Sequence, residues 1–207
     1  MVKLLVATRS AGKQREVRRL LADAPFEVVF PDQVNAWETE AEELLELHDS
    51  FQGNARAKAE FFVKRTRLPT VADDSGLEVL SLGGEPGVRS KRWAQTAGSA
   101  AEIDAANNTM LLRRLAGATE TRRRARYRCV LVLYRSPSSI PEVFEGNCYG
   151  SITEEARGDN GFGYDPYFLS DDLGLTFGEA SDGDKDRVSH RGNAFRALLQ
   201  ALTSRPL

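Results

Sequence analysis

The stretch Thr70-Val71-Ala72-Asp73-Asp74-Ser75-Gly76-Leu77 puts two adjacent carboxylates and a hydroxyl where a short buried strand runs out. Paired carboxylates can hold a divalent cation, orient a water molecule or take its proton. Val71 and Ala72 read as the end of the strand, and Gly76 breaks the pattern before a second apolar run, Leu77 to Leu82. Neighbours on a strand point to opposite faces, so at most one of Asp73 and Asp74 is expected to be usefully buried while the chain stays regular. Alone, the stretch reads as an Asp-rich turn, because Asp and Ser hydrogen-bond their own backbone there. The rest of the chain argues for chemistry.

Three further groups could meet such a pair. Thr8-Arg9-Ser10-Ala11-Gly12-Lys13 lies between an apolar run, Lys3 to Ala7, and a helical pattern with Val17, Leu20, Leu21 and Ala24 on one face. Free N–H groups at a helix start and the helix dipole favour an anion. Lys13 is out of place in a first turn unless an anion sits there. The second glycine and the Lys-Ser/Thr pair of a Walker A loop are missing. Phe51, Asn54, Ala55, Lys58 and Phe62 fall on one face of the next helix, which is expected to run from a cap at Asp49 or Ser50 to about Arg65. Asn54 and Lys58 interrupt an otherwise apolar stripe, either as a snorkelling lysine and its neighbour or as groups facing phosphate. The third group is Gly158-Asp159-Asn160-Gly161-Phe162-Gly163-Tyr164-Asp165-Pro166, whose glycines let backbone approach a ligand while an aromatic ring stacks on it. Farther on, Lys185 precedes Ser189-His190-Arg191-Gly192 at the start of the last helix, a cationic set suited to a ligand rich in acceptors.

The elements that position these groups alternate strand and helix. Glu27 to Phe30 reads as a strand, Ser99-Ala100-Ala101-Glu102 as a capping box before a helix to Gly117, and Pro141 to Thr153 as a strand with a bulge or close approach at Gly150. Trp37 to Asp49 is acidic and mostly a solvated face, with room for one metal ligand. Arg122-Arg123-Arg124-Ala125-Arg126-Tyr127-Arg128 would form a basic comb on a strand. The comb is a polynucleotide contact or, the favoured reading, a solvated or interface-paired strand end.

With 207 residues the chain can hold one generous core or two closely joined lobes. A formal net charge of −2 gives no global reason for nucleic-acid binding. Cys129 and Cys148 lack metal spacing and read as buried thiols of a reducing compartment. There is no signal peptide and no membrane-length apolar run, so a cytoplasmic protein is expected.

In order, Ala7-Thr8-x-x-x-Gly12-Lys13, Phe51-x-x-Asn54-Ala55-x-x-Lys58-Ala59, Ala72-Asp73-Asp74-Ser75-Gly76-Leu77, Gly84-x-Pro86-Gly87, Gly161-Phe162-Gly163-Tyr164-Asp165-Pro166 and Ser189-His190-Arg191-Gly192 resemble the inosine triphosphate pyrophosphatase family along the whole chain. Ser10 departs from the pattern, where the family usually carries Asn. The resemblance implies an α/β fold: a long twisted mixed sheet flanked by helices, one domain over residues 1–207 with two lobes and the substrate cleft between them. It implies Mg²⁺-dependent hydrolysis of ITP, dITP or XTP to the monophosphate and pyrophosphate, and a homodimer that binds neither nucleic acid nor membrane. By resemblance Asp74 is the proton acceptor, and Glu46 with Asp74 holds the metal; Glu43 is the alternative to Glu46. Thr8, Ser10, Lys13, Asn54 and Lys58 would hold the phosphates, and Arg9, Ala11, Gly12 and Ser75 would also bind substrate. Phe162 would stack on the base, with Asp165, Lys185, His190 and Arg191 around its edge, and Gly163 and Tyr164 would also bind substrate. A non-catalytic nucleotide-binding protein would not need Asp73 and Asp74, and a metal-dependent nuclease would need the arginine comb to be available.

Overall fold

A computed structural model describes residues 1–207. Six strands form one mixed sheet in the order β2-β1-β3-β4-β5-β6: β1 (Lys3–Val6), β2 (Glu27–Val29), β3 (Thr70–Val79), β4 (Arg124–Tyr134), β5 (Glu142–Ile152) and β6 (Phe168–Ser170). β1 runs parallel to both β2 and β3, whereas β5 and β6 are antiparallel. The helices are α1 (Ala11–Leu20), α2 (Phe51–Thr66), α3 (Ala100–Arg114), α4 (Asp182–Val188) and α5 (His190–Ser204). None is long and apolar enough to cross a membrane.

The chain divides into two compact units, each assembled from separated segments. The first comprises Met1–Asp74, Cys129–Gly146 and Asn193–Leu207. Its strands alternate as half-buried strands should, but both faces are covered. Leu4, Val6, Val71, Cys129, Leu131 and Leu133 pack with Val17 of α1 and Phe195, Leu198 and Leu202 of α5. The intervening residues Leu5, Ala7, Ala72, Val132 and Tyr134 pack with Ala55, Ala59, Phe62 and Val63 of α2. Helix α2 starts where expected, with Ser50 Oγ accepting the Gly53 N–H at 3.1 Å.

The second unit comprises Ser75–Arg128 and Asn147–Gly192. Leu77, Val79, Leu111, Leu115, Tyr127, Ile152, Phe168 and Phe177 form its core. The capping box at Ser99 and Glu102 opens α3 as the sequence indicates. The expected close approach at Gly150 is present: a Cβ there would lie 2.2 Å from the Leu169 carbonyl oxygen of β6. Within the arginine comb, Arg124 is ion-paired with Asp171, and both Arg126 and Arg128 with Glu78. Those pairs offset part of the charge of the comb.

Two expectations change. β3 does not end at Ala72 but continues through Gly76 to Val79. Asp73 and Asp74 are also both buried, at 2% and 7% exposure, where only one was expected to be. The cause is that each carboxylate meets its own lysine on its own face of the sheet. α4 was also unforeseen, because its polar sequence has no apolar period to announce it.

Candidate active site

Strand alternation builds the first group of side chains. Asp73 follows Val71 on the face covered by α1, and its Oδ2 lies 2.8 Å from Nζ of Lys13 in that helix. Asp74 follows Ala72 on the face covered by α2, where its Oδ2 accepts from Asn54 Nδ2 at 2.8 Å. Asn54 is itself fixed, since its Oδ1 accepts the His48 N–H at 2.9 Å. Lys58, one turn beyond Asn54, brings Nζ to 3.6 Å from Asp74 Oδ1 and 2.8 Å from Glu46 Oε1. The polar break in the α2 stripe is therefore a pair of groups aimed at one carboxylate. Lys58 does not snorkel.

Burial raises the Asp74 pKa, more than the neighbouring Lys58, Lys13 and Asn54 lower it. Burial also works against the Lys58 ammonium, but the charges of Asp74, Glu46 and Asp73 outweigh it and raise the Lys58 pKa. Three carboxylates gather around two ammonium groups, an excess of negative charge. No group of three or more His, Cys, Asp or Glu side chains forms a complete metal cage. The donor set nevertheless fits Mg²⁺, which is typically held by one or two carboxylates together with substrate phosphates. Lys58 already draws Glu46 and Asp74 toward one cation. Glu43, the alternative to Glu46, is exposed.

The loop before α1 is ordered by its own groups. Ser10 caps the helix, its Oγ accepting the Lys13 N–H at 3.5 Å, and Thr8 Oγ1 accepts the Ser10 N–H at 3.3 Å. No acidic side chain occupies the first turn of α1, which keeps that end open to an anion.

The second unit carries a separate group centred on Asp165. Its Oδ2 accepts the Phe162 N–H at 2.8 Å and pairs with Lys185 Nζ at 2.6 Å, and its Oδ1 accepts from Tyr127 Oη at 3.4 Å. Gly161 has φ +77°, and a Cβ there would lie 2.1 Å from Asp165 Oδ2, so only glycine lets the carboxylate fold back on the loop. Lys185 Nζ lies 5.1 Å from the centroid of the Phe162 ring. The His190 ring stacks on Tyr127 with centroids 4.6 Å apart, and Arg191 Nη2 donates to Ser75 Oγ at 2.8 Å.

Residues 4–201 match the model of the Ham1 family. The chain belongs to the Ham1 family. It is 40% identical to a dITP/XTP pyrophosphatase of Anaeromyxobacter sp. (strain Fw109-5), covering 96% of each chain. It is 44% identical to a dITP/XTP pyrophosphatase of Methylococcus capsulatus, covering 97% of this chain and 98% of the relative. The solved structure of a HAM1 protein from Coxiella burnetii superposes with a TM-score of 0.85 at 33% identity, covering 99% of this chain and all of the other.

Within this Ham1-family chain, several expected binding residues turn their side chains to other work. The Arg9 guanidinium forms a fork on Glu42, with Nε to Oε2 at 2.7 Å and Nη2 to Oε1 at 2.8 Å, and also reaches Asp32 at 2.6 Å and the Ala36 carbonyl at 2.8 Å. Tyr164 is buried and its hydroxyl donates to the Ser90 carbonyl at 2.9 Å; burial keeps that phenol protonated by raising its pKa. Asn54 holds Asp74 where a phosphate contact was expected. Ala11, Gly12 and Gly163 have only backbone groups to offer. Sequence reasoning missed Tyr127 as a partner of both Asp165 and His190. It was visible only as an apolar member of the arginine-rich strand.

Proposed function

We propose that this Ham1-family chain is a nucleoside triphosphate pyrophosphatase acting on dITP, XTP and ITP, with the nucleoside monophosphate and pyrophosphate as products. The observation that carries the reading is Asp74: a buried carboxylate of raised pKa, held by Asn54 at one oxygen and approached by Lys58 at the other. A carboxylate fixed in this way, with its basicity increased by burial, suits proton abstraction from water. Family membership and the names of the relatives point the same way.

In the proposed reaction, water adds at the α-phosphorus, the bond from that phosphorus to the bridging oxygen breaks, and pyrophosphate leaves. Asp74 accepts the water proton at Oδ1, the oxygen not engaged by Asn54. Lys13 and the open end of α1 bind the phosphates leaving as pyrophosphate. Lys58 keeps Glu46 and Asp74 facing one point. Glu46 and Asp74 are the carboxylates that would hold Mg²⁺, which when bound neutralises triphosphate charge.

The group around Asp165 is assigned to the base of the same substrate. Ser75 belongs to this second group through Arg191. Phe162 supplies a stacking ring. Lys185 and Arg191 donate and cannot accept, so they favour a purine 6-oxo group over the 6-amino group of ATP. Sites that leave the wrong partner unpaired discriminate by about 10⁴.

A pyrophosphate-release panel of ITP, XTP, dITP, GTP and ATP tests the reading. ITP, XTP and dITP should be cleaved far better than GTP, and ATP least. ATP cleaved as efficiently as ITP would refute the base-reading role, and no pyrophosphate release from any of them would refute the activity. The same reading carries a homodimer in the cytoplasm; sedimentation equilibrium checks the dimer.

A further inference from the structure

We propose that Asp104 and Asn108 of α3 are positioning residues that set affinity for the base by gripping the loop that carries Phe162. The inference rests on the reading that Phe162 stacks on the purine. Gly163, the residue after Phe162, donates its N–H to Asp104 Oδ2 at 2.9 Å and accepts at its carbonyl from Asn108 Nδ2 at 3.0 Å. Residues four apart lie on one helix face. One face of one helix therefore holds both polar backbone groups of a single residue.

Gly163 has φ +66°, and a Cβ added there would meet nothing within 4 Å. The glycine is needed for its conformation, and the two α3 side chains select that conformation. Phe162 is thus pinned on both sides, its own N–H by Asp165 and its successor by α3.

α3 is firm enough to act as the anchor. Ser99 and Glu102 cap it, Leu111 is in the core, and buried Asn107 holds the Ala94 N–H at 2.8 Å and the Lys91 carbonyl at 3.1 Å. Asp104 is also steadied by Lys91 Nζ at 3.2 Å. Releasing Gly163 would let the Phe162 ring sample orientations that do not stack, and this would weaken the grip on the base while leaving the phosphate end alone.

The test uses the full-length protein and two probes measured by calorimetry: inosine monophosphate, which carries the base, and pyrophosphate, which does not. Asn108→Ala and Asp104→Ala should each weaken inosine monophosphate about fivefold to tenfold, the range expected for one lost hydrogen bond. Pyrophosphate affinity should stay within about twofold, because no base contact is involved. In turnover, KM for ITP should rise more than kcat falls, and KM for ATP should rise in parallel, because every base offers a face to stack on.

Two conservative variants separate positioning from folding. Asp104→Asn keeps an acceptor oxygen and should recover most of the affinity. Asn108→Asp keeps the shape but loses the Nδ2 donor, and should behave like Asn108→Ala. Phe162→Ala tells the two ideas apart. If it loses inosine monophosphate while the α3 variants bind normally, the clamp is wrong and stacking stands. If Phe162→Ala itself binds inosine monophosphate as the wild type does, the stacking assignment falls and the clamp falls with it. Equal losses for both probes in the α3 variants would mean a general structural role and would also overturn the proposal.

Discussion

Asp74 works under two opposing demands, and a single substitution separates them. Asp74→Asn preserves shape and the Asn54 contact but removes the charge and the basic oxygen. Hydrolysis of ITP should fall by about 10²–10⁴, the range ascribed to a positioned general base. Stability should move the other way. In metal-free protein the folded pKa of Asp74 lies above its ordinary 3.8, mainly through burial. The folded state then keeps a proton that the unfolded chain has already released. Stability is therefore undiminished below pH 3.8 and declines as pH rises from there through the folded pKa. The variant has no such decline. Melting curves in EDTA should show its stability relative to wild type improving from about pH 3.5 to pH 7. A relative stability that does not change with pH, or that worsens toward pH 7, would contradict this account. Much of the residue-level chemistry was legible, because Asn54 and Lys58 stand out as polar positions in an apolar stripe and the Asp pair stands out on a strand. Partner choice was not. Nothing in the order of residues says that Arg9 turns to Glu42, or that Tyr127 reaches both Asp165 and His190, since those contacts depend on side chains brought together from distant segments.

Among the elements, the acidic segment Glu40–Glu46 is a run of 3₁₀ helix with no buried residue, and it carries Glu46. A segment that fully buries no side chain relies on polar tethers. The Arg9 fork on Glu42, extended to Asp32 and Ala36, ties it to the loop before α1. Arg65 of α2 adds a second contact to Glu42 at 3.7 Å. Lysine cannot reproduce a two-pronged guanidinium contact. Arg9→Lys and Glu42→Gln should therefore both loosen the segment, by about 1–3 kcal/mol for hydrogen bonds involving charge. Hydrogen exchange over residues 31–47 should speed up in each variant while α2 stays protected. Unchanged exchange there would show that the segment is held by something else. The helix and strand periods were readable in the main elements because their apolar residues face a core. α4 was not, since the residue it buries is Lys185, and a buried lysine leaves no hydrophobic signature.

At the scale of the molecule, the interleaving of the two units has a consequence for synthesis. The last stretch of the second unit ends at Gly192, whereas the first unit still lacks Asn193–Leu207 at that point. Those final residues supply Phe195, Leu198 and Leu202 to its core. Burying three such side chains contributes roughly 5–9 kcal/mol, comparable with the whole stability of an ordinary domain. A growing chain emerging from the ribosome N-terminus first would therefore assemble its middle before its beginning, with Leu4, Val6 and Val71 waiting for the last helix. A nascent chain stalled with residues 1–192 outside the exit tunnel should resist protease within 75–128 and 147–192 and remain cleavable within 1–74. Extending it to expose Leu207 should protect the N-terminal segment in one step. Early protection of residues 1–74 in the stalled chain would show that the first unit closes without its final helix.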